Sequence, residues 1–84
     1  THDRLGRLPL AVGMRVMILH NILTSVGVVN GAEGMIRRIV YDEENNGDRV
    51  ALAVFVHVEG AIVNLPGLEP GVVPVFPDSV SMKL

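Results

Sequence analysis

Leu10-Ala-Val-Gly13-Met-Arg15-Val16-Met17-Ile-Leu-His20-Asn21, followed after a short linker by Gly27-Val-Val-Asn30-Gly31-Ala-Glu-Gly34, is the stretch that decides the fold. It reads as a turn, a strand, a loop, a second turn and the start of another strand. Gly13 frees the backbone for a tight entry, and Asn30-Gly31 is the dipeptide that best tolerates positive φ at successive positions. In the first strand, set at Gly13 to His20, the even positions Met14, Val16 and Ile18 and the odd positions Met17 and Leu19 are all apolar, which predicts burial on two sides. Taken alone, these residues give local structure and no function.

Outward from this stretch the same grammar continues. A second strand is expected over 34–42, where alternation requires one of the neighbours Arg37 and Arg38 to face the core side or its rim. The acidic run from Glu43 to Asp48 contains Asn46-Gly47, a strong hairpin signal leading into a third strand over 49–58. There Val50, Leu52, Val54, Val56 and Val58 share one face. Gly60 to Pro70 is irregular, with Pro66-Gly67 and Pro70-Gly71 as breakers. Short strands fit 72–76 and 80–84, on either side of Pro77-Asp78-Ser79, and residues 1–9 read as a tether. Five short strands without a helical period predict an all-β barrel or an incomplete one, because closure removes edges that apolar strands otherwise expose.

Composition narrows the choice of function. The 84 residues are 49% hydrophobic and 19% charged, which favours one small folded domain. Net charge is −2, so no broad basic field marks an independent nucleic-acid binder and any contact with DNA must be local. There is no cysteine, which excludes disulfides and thiolate metal sites. The longest uncharged run, Val16 to Ala32, carries His20, Asn21, Thr24, Ser25 and Asn30 and is too polar for a bilayer, so the expectation is a soluble chain with no membrane partner. A start at Thr1 and an end in mid-alternation at Lys83-Leu84 look like a segment excised from a longer protein.

Catalytic motifs fail on their context. Asp42-Glu43 after a hydrophobic strand echoes a metal-holding pair of nucleotide hydrolases, but the only lysine is Lys83 and no phosphate-binding loop exists. Asp42, Glu44, Asn46 and Gly47 start like a calcium loop whose twelfth position is Ala53 instead of glutamate. His2, His20 and His57 follow no ligand spacing, and Ser25, Ser79 and Ser81 lack a nucleophile elbow. Tyr41, Phe55 and Phe76 are the only aromatic residues, too few for a stacking platform, and Phe55 and Phe76 are expected in the core.

The opening stretch resembles a signature of superfamily 1 nucleic-acid helicases of the petite-integration-frequency and RecD-like group. Leu10, Gly13, Val16, Met17, Asn21, Gly27, Asn30, Gly31 and Gly34 fall on that pattern in register. The later Leu65-Pro-Gly-Leu68-Glu-Pro-Gly71-Val-Val-Pro74 run resembles a eukaryotic subset more loosely. What the resemblance implies is an SH3-like barrel, the 2B insertion of the second motor domain, within an ATP-driven 5′-to-3′ DNA helicase. The barrel would sit over the single-stranded DNA channel and help couple motor closure to strand separation. ATP and Mg would bind the parent's motor domains, with no cofactor in this piece. DNA repair, recombination and telomere maintenance, in the nucleus or mitochondrion, are the settings implied.

The residues left for DNA contact are Arg15, Arg37 and Arg38 for phosphates, with Asn21 and Asn30 as amide donors and acceptors. His20 stands where many relatives carry a basic residue, which removes a permanent charge. The competing account makes Arg37 and Arg38 solubilising charges on an edge strand, and Asn21 and Asn30 turn residues that bond local backbone. A reading of another class is a stand-alone β-barrel adaptor that takes a protein partner through the Pro- and Val-rich segment from Leu65 to Pro77.

Overall fold

The computed structural model describes residues 10–43 and 49–83. The tether at 1–9, His2, the hairpin turn at Asn46-Gly47 and Leu84 lie outside the described residues. Five strands form one antiparallel sheet: β1 (Arg15–Ile18), β2 (Glu33–Glu43), β3 (Arg49–Val58), β4 (Val72–Val75) and β5 (Val80–Met82), in the order β4-β3-β2-β1-β5. Among the described residues, helix is confined to two 3-10 turns, Thr24–Val26 and Pro77–Ser79.

This order forces the sheet to curl. β4 and β5 lie at opposite edges, which a flat sheet would hold about 19 Å apart. From Val75 to Val80 the chain has five steps, about 18 Å at full stretch, and three of the residues between them are wound into a 3-10 turn. The edges must therefore approach one another. The result is the small all-β, SH3-like barrel expected from the sequence, with the Pro77–Ser79 turn packed against β3.

Inside the curl lies a core of eight valines and two isoleucines: Val16, Ile18, Val28, Ile36, Val54, Val56, Val58, Val73, Val75 and Val80. Branching at Cβ restricts their rotamers and suits them to a pleated surface, so little side-chain entropy is lost on packing. β1 departs from the expected burial on two sides. Val16 and Ile18 are buried, Arg15 is exposed and Met17 only half-buried, because a strand in a single curled sheet has one inner face.

Two bulges correct the expectations for β2 and β3. Ile36 pairs with Val56 and Arg38 with Phe55, which leaves Arg37 as an extra residue. That insertion resets the alternation: Ile36 is buried, Ile39 packs against the core three positions later, and both arginines are exposed. Neither arginine faces the core. Further along, Val40 pairs with Ala53 and Tyr41 with Ala51, so Leu52 is the extra residue on β3 and is 50% exposed. Leu52 accordingly leaves the buried row that Val54, Val56 and Val58 keep.

The two phenylalanines also lie elsewhere than expected. Phe55 is half-buried on the outer face of β3, and Phe76 is 75% exposed. Within the core, valine and isoleucine fill the space between the curled faces.

Candidate nucleic-acid interface

Between β1 and β2 the chain makes a miniature hairpin. Leu23 and Val28 exchange backbone hydrogen bonds of 2.9 and 3.0 Å around the Thr24–Val26 turn, and the Ile62 N–H donates to the Val26 carbonyl at 2.8 Å. Gly27 closes this turn at φ 95°, and a Cβ there would stand 3.3 Å from the Ala61 Cα. Its freedom is thus used twice, for a left-handed backbone and for a close approach. The Asn21 Oδ1 accepts the Asn30 backbone N–H at 3.0 Å, so the two asparagines of the signature clamp the base of the loop.

Gly34 has a different reason to be glycine. It pairs with Val58 on β3, and a Cβ would run into the His57 carbonyl oxygen and the Val56 side chain. Gly34 is buried at the crossing of β1, β2 and β3, where the strands approach too closely for a methyl group.

Charge on the outer surface is mostly neutralised in pairs. The Arg15 guanidinium donates to Glu59 at 2.7 Å and to Glu33 at 3.4 Å, and Lys83 lies 3.2 Å from Glu33. The hydrogen bond to Glu59, then its charge, raises the Arg15 pKa. The Lys83 hydrogen bond is the main influence lowering the Glu33 pKa, assisted by Arg15 and opposed by partial burial. Arg37 grips Glu69 with two nitrogens, at 2.9 and 3.2 Å. Arg38 is different: its guanidinium lies over the Phe55 ring, 5.4 Å from the centroid.

The six candidate contacts therefore fall into groups. His20, Asn21 and Asn30 are exposed around the β1–β2 loop, with the two asparagines hydrogen-bonded. Arg15 sits opposite Met35 across the β1–β2 pair. Arg37 and Arg38 are farther on, about 13 to 16 Å along β2 from Glu33 at strand rise. Sequence reasoning missed Phe55 and Phe76 on this surface, together with the carboxylates that occupy Arg15 and Arg37. Among the described residues, no three histidine or acidic side chains gather as a metal site, and no helix is long and apolar enough to cross a membrane.

A curled sheet with a clamped loop and an arginine-bearing outer face defines a small SH3-like module. Residues 6–39 match the family described as DNA helicase Pif1, 2B domain. No curated protein and no solved structure matches the chain. The matched segment includes all nine signature positions from Leu10 to Gly34, so this part of the chain is similar to that domain.

Proposed function

We propose that this module covers the single-stranded DNA channel of an ATP-driven, 5′-to-3′ DNA helicase and helps couple motor closure to strand separation. The match of residues 6–39 to the Pif1 2B domain carries this reading. A body held by ten buried β-branched residues and a loop tied at Asn21 and Asn30 suits a part that must transmit motion without deforming. ATP and Mg bind the parent's motor domains, which are this module's protein partners. Single-stranded DNA is its weak ligand. Repair, recombination and telomere maintenance, in nucleus or mitochondrion, are the proposed settings.

The test uses the full gene product. Replacing residues 10–83 by a flexible Gly-Ser linker should leave DNA-stimulated ATP hydrolysis in place while strand separation falls at least tenfold. Unchanged unwinding would overturn the coupling role. The 84-residue chain alone should release no phosphate from ATP and bind single strands weakly, with a salt slope reflecting about one to three phosphate contacts.

A further inference from the structure

The outer face of β2, β3 and β4 carries a row that the strand register assembles. Arg38 stands opposite Phe55, and Phe55 opposite Pro74. Beside it runs a second row in which Val40 stands opposite Ala53. Phe76 follows β4 with extended backbone, φ −70° and ψ 146°, so alternation continues past Val75. Pro74 and Phe76 are exposed while Val73 and Val75 are buried, which puts Phe76 on the face of Pro74 and next to the small Ala53.

Among the described residues, the charges single out one cation on this face. Arg15, Arg37 and Lys83 are each held by a carboxylate. Arg49 lies 4.1 Å from the centroid of Tyr41, a residue that shares the face of Ile39 and so belongs to the other side of the sheet. Among the described residues Arg38 pairs with no carboxylate, and its guanidinium rests on an aromatic ring with its edge available to an anion. A phosphate is the chemistry such a group takes, and an exposed phenyl ring beside it takes the flat face of a base.

We propose that Arg38, Phe55 and Phe76 form a contact site for single-stranded DNA, with one base stacked on Phe76 and a neighbouring phosphate on Arg38. This rests on the proposed helicase role and locates its DNA contact on the outer sheet face instead of the β1–β2 loop. The site reads no sequence, since every base has a π face and every nucleotide a phosphate. The positive charge of Arg38, which no carboxylate compensates among the described residues, favours a nucleic acid over a second protein surface.

The experiment is titration of the 84-residue chain with a fluorescent thymidine dodecamer, and with an abasic strand of equal length, by anisotropy at several salt concentrations. Dispersed NMR spectra establish that each variant is folded. Phe76→Ala and Phe76→Leu should each weaken thymidine binding about fivefold or more, the wild type should prefer thymidine over abasic strand by a similar factor, and Arg38→Ala should lower the salt slope by about 0.7. Upfield shifts of the Phe76 ring protons on adding thymidine strand would give the stacking directly. If the wild type binds but the variants bind equally well, the site is wrong while DNA contact stands. Equal affinity for the abasic strand would likewise overturn it. No binding by the wild type would overturn both the site and the DNA contact proposed for the module. Loss of self-association in Phe76→Ala with unchanged DNA affinity would assign this face to protein contact and also overturn the proposal.

Discussion

In the loop between β1 and β2, polar side chains and glycines serve the backbone: Asn21 holds the Asn30 N–H, Gly27 admits Ala61, and Gly34 lets β2 approach β3. Across the outer face of β2, β3 and β4 the arrangement is reversed, with paired strands that present Arg38, Pro74 and Phe76 to solvent around a half-buried Phe55. The residues that made the chain recognisable are largely those that build it. A signature can therefore point to a family while leaving its contact surface elsewhere, since backbone geometry tolerates fewer substitutions than an exposed side chain does.

That contrast breaks most readily at Gly34. Gly34→Val should cost about 3 kcal/mol or more, because carbonyl and side chain must both move, and a small domain has only about 5 kcal/mol to lose. Urea unfolding followed by circular dichroism measures it, and a loss below about 1 kcal/mol would show that the β2–β3 approach is looser than described. A smaller effect belongs to Asn21→Ala, which should cost about 1 kcal/mol by removing the acceptor for the Asn30 N–H. Asn21→Asp keeps an acceptor oxygen and should retain most of the stability. If loop and face are independent, neither change alters thymidine affinity per folded molecule.

The smallest effect is expected at the Arg15 cluster. Glu33 is held below the ordinary carboxylate range in the folded protein, chiefly by Lys83, so its stabilising contribution is present above the unfolded-state value. It is lost as pH falls through the folded value. Acid titration of stability should therefore show a shallow decline in that window, and Glu33→Gln should flatten it. These groups are largely solvated, so added salt should shrink the difference as well. A decline that persists undiminished in Glu33→Gln would place the linkage on another carboxylate.

Much of the fold was legible because strand alternation and turn residues are local signals. Val54, Val56 and Val58 were assigned to one face from spacing of two, and Gly13 and Gly31 marked turns, where both have positive φ. The bulge at Arg37 was not legible. An extra residue in one strand is defined only against its partner, and without it adjacent arginines must be sent to opposite faces. The candidate site suffered from the same gap: Arg15 and Arg37 looked available because Glu59 and Glu69, 44 and 32 residues away in sequence, give no sign of approaching them.

By itself the order of amino acids determined an all-β domain, its strand and turn types, and the helicase resemblance, since each depends on residues near one another in the chain. That Arg15 and Arg37 are held by carboxylates, and that two phenylalanines stand outside a core of valine and isoleucine, was decided only by strand register and by the curl of the sheet. The physical reason is that charge neutralisation and burial depend on distance in space, which pairing and bulges set after the local structure has formed.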